Sequence, residues 1–516
     1  MRMTRMSLLA LLGSAAAMLG LLAVLISPTR PSPGLSNDQT LRVLLSYRLG
    51  ASDFESQHVF PSLELTPLNE PLSLKSGPDA QHLSLALSAL PQRPLRFTVQ
   101  NGSIVAAVDG QVYPLGSVVL LQAVLPETAG IIRYRITSTT RGTPPANPEY
   151  PGRLWLRAFN TGLLMVNEVG MEEYLKRVVP SEMPPFFHPQ ALAAQAVAAR
   201  TYAYSRMAAG PENNFWKQFG ADVDDSVSEQ LYNATPTHPA TDAAIAASRG
   251  QILTYGGQPI QAYFFSTSPG STAPLEEVWP DRNPQPYLKA QAQASPVPGA
   301  IQGEAAALAF FKNWNRQGYY DGESSLFRWK VSLSRGELEA ILSKTLPAIA
   351  KASPEFVETP EGALSPNTPD FKLGTLQKLI VQGRTLGGFV TGLEVQTSSG
   401  RYLVRRESNI RSLIRPTKAL TGGPDIGLER SNGTQSLNFP TLPSAAFALE
   451  EERDGNGGLQ RVTFWGGGYG HGVGMSQFGA NYLGKMGRSY PQILTHFYPG
   501  SSLTSLPSIP ALNVPR

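Results

Sequence analysis

The stretch 178–206, VVPSEMPPFFHPQALAAQAVAARTYAYSR, decides how the rest of the chain is read. It opens on a short apolar run, Val178-Val179-Pro180, and then sets one carboxylate, Glu182, among Pro180, Met183, Pro184, Pro185, Phe186 and Phe187. Pro189 follows, and a helix tolerates proline at its first position because that N–H has no partner in any case. Residues 191–203 contain neither Gly nor Pro and have high helix propensity. Small residues on nearly every face predict a buried, closely packed central helix, with Arg200 near its end. Glu182 is therefore expected in a Pro-stiffened loop feeding that helix. Desolvation there raises a carboxyl pKa, whereas the helix N-terminus opposes it by only about 0.3–1 kcal/mol. A Glu held protonated near neutral pH is what a general acid requires. A Glu that only caps the helix is the other reading, and these residues alone leave both open.

Working outward, the 516 residues can hold two or three domains with ample core. Charged residues make up only 16 %, and Gly and Pro are abundant, which suits a loop-rich, strand-rich globular protein. The net charge of +4 is spread along the chain without a Lys/Arg run, so nucleic-acid binding is not supported. Cysteine is absent, which excludes disulfides, Cys nucleophiles and Cys-ligated zinc. Arg2 and Arg5 precede residues 7–27, an uncharged and mostly apolar run of ~20 residues, long enough to cross a hydrocarbon core. The small residues Ala15, Ala16 and Ala17 lie inside that run, where they do not make a cleavage site. Residues 1–30 are thus expected to be an uncleaved signal-anchor with the body outside the membrane; a cleaved signal peptide is the alternative.

Residues 38–145 read as a small β-rich domain. Strand-like runs cover 41–46, 95–99, 103–108, 117–124 and 131–137, and Asn101-Gly102 and Asp109-Gly110 supply turns. His58 and His82 are expected at its surface. The Pro-rich stretch 142–150 reads as a boundary. A strand pair at 153–158 and 163–167 then turns at Asn160-Thr161-Gly162 and leads through a helical turn at 171–177 to Glu182. The acidic segment 222–232 reads as a solvated turn. A helix at 240–247 precedes a hairpin of 251–255 with 260–266 and a Ser-rich loop, 266–272. Further on, helices at 304–315 and 334–346 and strands at 327–333, 374–382, 388–396 and 401–405 are expected, then a flexible loop at 421–438. The fold class is α+β, with strands and helices mixed around the central Ala-rich helix.

Near the C-terminus, FWGGGYGHGVG (464–474) is dense in glycine. It lacks the Lys-Ser/Thr of a P-loop. Ser476, in GMSQF, is not in a nucleophile elbow, and His471 has no HExxH partner. The segment is read as a loop that places His471, Ser476 and Gln477 beside Glu182. A helix at 475–486 follows, closed by Gly487, then a last helix from Ser489; His496 is read as structural.

Two blocks carry a family resemblance. Tyr174-Leu175, Val178-Val179-Pro180-Ser181-Glu182-Met183-Pro184 and Ala194-Gln195-Ala196-Val197-Ala198-Ala199-Arg200-Thr201-Tyr202 form the first. The second is Gly470-His471-Gly472-Val473-Gly474-Met475-Ser476-Gln477-Phe478-Gly479-Ala480. In this order they resemble the stage II sporulation protein D family, which includes peptidoglycan lytic transglycosylases and amidase enhancers. The resemblance implies a catalytic domain over 150–505, with a variable insertion near 295–370 and Arg411 at the start of a helix. It implies Glu182 as the catalytic acid, with Arg200, Tyr202, Ser266, His471, Ser476 and Gln477 as substrate-binding candidates. Trp279 reads equally as a surface for a sugar face and as packing. Some relatives hold a zinc through Cys and His in the segment matching 222–232, which here contains neither; no metal and no cofactor are expected. The chain also departs from the family at Pro269-Gly270, where Gly-Gly is usual. Most glycosidases use two carboxylates, and the resemblance supplies one, with which a lytic transglycosylase can work. The expected function is cleavage of MurNAc–GlcNAc bonds with 1,6-anhydro-MurNAc ends; the alternative is a non-catalytic, glycan-binding enhancer of a wall amidase. The expected partners are peptidoglycan glycan strands, an N-acetylmuramoyl-L-alanine amidase, and the membrane through residues 7–27. The expected location is the extracytoplasmic side of the cell envelope.

Overall fold

The computed structural model describes residues 39–49, 53–124, 132–141, 146–233, 236–360, 362–363 and 373–506. The expected signal-anchor, 7–27, lies outside them. Among the described residues no helix is long and apolar enough to cross a membrane. Strands and helices are mixed, as an α+β protein requires, and the chain divides into two compact units.

The first unit takes the chain up to Tyr174 together with Gln218–Glu229. One of its sheets has six strands, Glu149–Pro151, Arg133–Ile136, Leu63–Pro67, Leu95–Gln100, Ser103–Val108 and Gln111–Pro114, in that spatial order. Asn101-Gly102 and Asp109-Gly110 close its hairpins with positive φ at both residues, the geometry that matches strand twist. The other sheet runs Val223–Asp224, Thr40–Leu44, Gly162–Gly170, Arg153–Phe159, Val118–Ala123, Leu72–Gly77, Ser84–Ala89. Strands on both sides of the Pro-rich stretch 142–150 therefore share one sheet.

Two sequence expectations fail in this unit. His58 is not a surface residue but is 2 % exposed. The acidic segment is not a solvated turn: Asp224 and Asp225 are fully buried. Val223–Asp224 adds to the first strand in parallel. The Asp222 carboxylate accepts from the Arg42 N–H at 2.8 Å, and that of Asp225 accepts from the Ser46 N–H at 3.0 Å and from the Ser46 hydroxyl. Arg141 lies 3.5 Å from Asp225, and His58 Nε2 lies 3.8 Å from Asp224. The acids are buried because each has a specific partner, which is the condition for burying a polar group.

The second unit holds the rest. Its central helix, Pro189–Ala208, has every residue from 191 to 204 buried. His188 caps it through Nδ1, which accepts from the Gln190 N–H at 3.3 Å. Helices Pro239–Ala247, Gln477–Lys485 and Tyr490–Phe497 and the strand Gln251–Tyr255 pack around it. The expected strand at 260–266 is broken up. Gln251–Tyr255 pairs with Gln258–Pro259 on one side and with Ser502–Ser505 on the other, and Phe264–Phe265 runs parallel to Met475–Ser476 instead. A second core spans residues 326–464. Two five-stranded sheets enclose it with the helix Arg335–Ala352, whose start is fixed by a Ser334/Glu337 capping box. The expected flexible loop at 421–438 contains a hairpin, Gly427–Arg430 with Gln435–Leu437.

Candidate active site

Glu182 is the last residue of a helix, Met171–Glu182, not part of a loop. Pro180 removes one donor from the last turn of that helix, and the Ser181 hydroxyl bonds back to the Arg177 carbonyl at 2.6 Å. The position reverses one electrostatic expectation, because a helix C-terminus carries the negative end of the macrodipole and disfavours a carboxylate. Glu182 keeps some accessible surface but is densely surrounded by protein. Burial pushes its pKa up to about 7, against the pull of the Leu231 N–H, which donates to Oε1 at 2.6 Å. Near neutral pH the group thus exists in both protonation states, as a residue that gives and then takes a proton must.

Two chains of contact lead away from it. On one side, Gln230, beside Leu231, donates to the Ala199 carbonyl at 3.2 Å. Tyr202, three residues on and hence on the same helix face, lies 5.8 Å between ring centroids from Tyr263. Tyr263 in turn is 5.0 Å from Trp279, which is 5.0 Å from the His471 ring. On the other side, Phe187 packs edge-on against Phe478 at 5.0 Å. The Phe478 N–H donates to the Ser266 carbonyl at 3.1 Å. Neighbouring Phe265 lies 5.6 Å from His471, closing the circuit. The two sequence blocks are joined in this way, although Glu182 makes no hydrogen bond to His471, Ser476 or Gln477 among the described residues.

The other candidates are placed as follows. Arg200 has no accessible surface, and its Nη1 donates to the Gln251 carbonyl at 3.1 Å. Tyr202 is 9 % exposed, and Ser266 is partly exposed. His471 Nδ1 accepts from the Val473 N–H at 3.1 Å, and the ring also bonds to the Phe264 backbone. Burial, with the Arg411 guanidinium nearby, drives its pKa down to about 3, so it is neutral. Ser476 is fully buried and caps the helix Gln477–Lys485, accepting from the Gly479 N–H. Gln477 is nearly buried in the first turn of that helix.

Asp321 was missed. It is fully buried and ties the two glycine- and serine-rich loops together. Its carboxyl accepts from the Ser268 N–H at 2.9 Å, from the Ser268 hydroxyl at 2.8 Å, and from the Ser476 hydroxyl. Burial raises its pKa to about 6 against these bonds. In the sequence it is one aspartate in a YYDG turn within the least family-like region, and no local pattern marks it. Glycine geometry completes the site: Gly474 has φ of +78°, and a Cβ there would strike the Tyr263 carbonyl oxygen.

Residues 159–255 match the family model for the stage II sporulation protein, SpoIID. The chain carries a SpoIID-family domain. The matched residues include Glu182, Arg200 and Tyr202. Similarity to SpoIID proteins extends further: stage II sporulation protein D of Bacillus subtilis (strain 168) is 27 % identical over 359 residues, 67 % of this chain and 78 % of the relative. The protein of the same name from Bacillus amyloliquefaciens is 28 % identical over 72 % of this chain and 83 % of its own length. The amidase enhancer of Bacillus subtilis (strain 168) is 27 % identical over 64 % of this chain and 40 % of its length.

Proposed function

We propose that this protein is a wall-acting lytic transglycosylase that cleaves peptidoglycan glycan strands with Glu182 as its acid and base. The observation that carries the reading is the single carboxyl, Glu182, poised by burial to titrate at about 7 while keeping access to solvent. Protonated Glu182 gives its proton to the oxygen linking MurNAc to GlcNAc, and that C–O bond breaks. The carboxylate then takes the proton of the MurNAc C6 hydroxyl as O6 bonds to C1, closing a 1,6-anhydro ring. No water enters, and Glu182 ends as it began, so one carboxyl suffices where hydrolysis commonly needs two. Tyr202 and Ser266 border the strand, while Arg200, His471, Ser476 and Gln477 hold the walls. The protein works at the cell envelope.

The test is mass spectrometry of glycan fragments after purified protein is added to amidase-treated peptidoglycan, with Glu182→Gln beside it. Fragments ending in 1,6-anhydro-MurNAc, made only by the unmutated protein, are the expected result. Reducing ends would mean hydrolysis and a second carboxyl. The similarity to an amidase enhancer supports a second reading, in which the protein binds strands and stimulates an amidase without cutting. Absence of fragments, with faster release of peptides when an amidase acts on untreated peptidoglycan beside the protein, would select it.

A further inference from the structure

The circuit around Glu182 contains one aromatic side chain whose polar atom the protein leaves unused. Trp279 is partly exposed. The carbonyl of Leu275 fixes its backbone, accepting from the Trp279 N–H at 2.9 Å, and the rings of Tyr263 and His471, themselves 6.2 Å apart, pack against the indole, each at 5.0 Å. The His471 ring is held by the Val473 N–H at Nδ1 and by the Phe264 backbone, so the support is fixed and uncharged. The indole N–H makes no hydrogen bond among the described residues, and it is not among the buried polar atoms left without a partner. It therefore points where water, or a ligand, reaches it. Buried indoles usually turn their N–H to a protein acceptor. Trp329 does so, donating to the Gly468 carbonyl at 3.1 Å.

We propose that Trp279 is a stacking platform for one pyranose ring of the glycan strand. This inference rests on the reading of the Glu182 site as a glycan site, and it adds the residue that holds the sugar. The chemistry fits. A β-linked pyranose presents a face of axial C–H bonds flanked by hydroxyl and acetamido groups. A partly exposed indole offers an apolar face and, at its edge, one free donor for a sugar oxygen. The occupant is a neutral N-acetylhexosamine ring, since no cation or anion is needed to satisfy the indole.

The test uses the full chain in the Glu182→Gln background, so that bound strands are not cut, with amidase-treated glycan strands as the probe. Trp279→Ala is expected to weaken binding by about tenfold, the scale on which a ring stacked on an aromatic side chain responds to truncation. Trp279→Phe is expected to keep most of the affinity, because the apolar face remains. Because Trp279 also packs against core residues, a measurement without truncation accompanies these. The indole N–H resonance of Trp279, identified by its loss in Trp279→Phe, is expected to move when strands are added. Unchanged affinity in Trp279→Ala, or a stationary indole resonance while other signals shift, would overturn the platform. Failure of the parent protein to bind strands would overturn it too. Binding that depends on Trp279 with no anhydro products from the unmutated protein would leave the platform standing and overturn the transglycosylase reading alone.

Discussion

At the scale of single residues, the protonation of Glu182 carries two predictions. In its proposed role as general acid it must hold its proton, so cleavage is expected to fall as pH rises above about 7, with the midpoint read from initial rates across pH 5–9. Its folded pKa lies above the ordinary carboxyl value. The folded state therefore binds the proton more tightly than the unfolded chain, and the stabilising contribution is lost as pH rises through about 7. Glu182→Gln removes that dependence while keeping an acceptor for the Leu231 N–H. The variant should gain stability relative to the parent between pH 5 and pH 8.5, by at most about 3 kcal/mol, seen as a pH-dependent difference in melting temperature. Equal differences at both pH values would mean that Glu182 is ionised throughout. That Glu182 is unusual was legible from its apolar neighbours. Its place at the end of a helix was not, because Pro180 argues against helix at the residue before it, and the preceding turn with its Ser181 bond overrides that local preference.

At the scale of elements, the segment Gln218–Glu229 and the paired loops carry the predictions. Asp224 is pushed up to about 7 by burial, opposed by the Ser226 bonds, and His58 beside it is pushed down by burial. The contribution of Asp224 is present at low pH and lost as pH rises through about 7. Neutral His58 contributes above its ordinary value and loses that contribution as pH falls below about 6.5. Asp224→Asn should flatten the loss of stability between pH 6 and pH 8.5 in thermal melts; unchanged slopes would refute a protonated Asp224. Gly474→Ala should cost about 2 kcal/mol or more, because the positive φ and the Tyr263 carbonyl both reject a side chain; a melting temperature equal to the parent's would show that the strand Met475–Ser476 can shift freely. Hairpins at Asn-Gly and Asp-Gly were legible because turn chemistry is local. The burial of Asp224 and Asp225 was not, since their partners Ser46, His58 and Arg141 are far away in sequence and nothing nearby announces them.

At the scale of the whole molecule, the α+β class and the central helix could be read directly, because a run of small residues without Gly or Pro has few other uses. The second core over residues 326–464 could not, since alternation in short strands does not say which sheet a strand joins. Asp321 belongs to the same category: its meaning lies in two loops it joins from outside both. Asp321→Ala should strand the hydroxyls of Ser268 and Ser476 in the core and lower the melting temperature, with about 1–3 kcal/mol lost for each donor left unpaired; an unaltered melt would show that water or a shifted loop replaces the carboxylate. The detour of Gln218–Glu229 has a further consequence for how this chain can be divided. A cut after Tyr174 leaves the upstream piece without Asp225, so Arg141 is buried beside no acid, and gives the downstream piece a stretch with three buried acids and a valine whose interior partners it no longer has. Such a broken pair costs about 3–5 kcal/mol. A boundary drawn after residue 174 therefore does not separate two self-sufficient pieces, because Gln218–Glu229 belongs to the first unit.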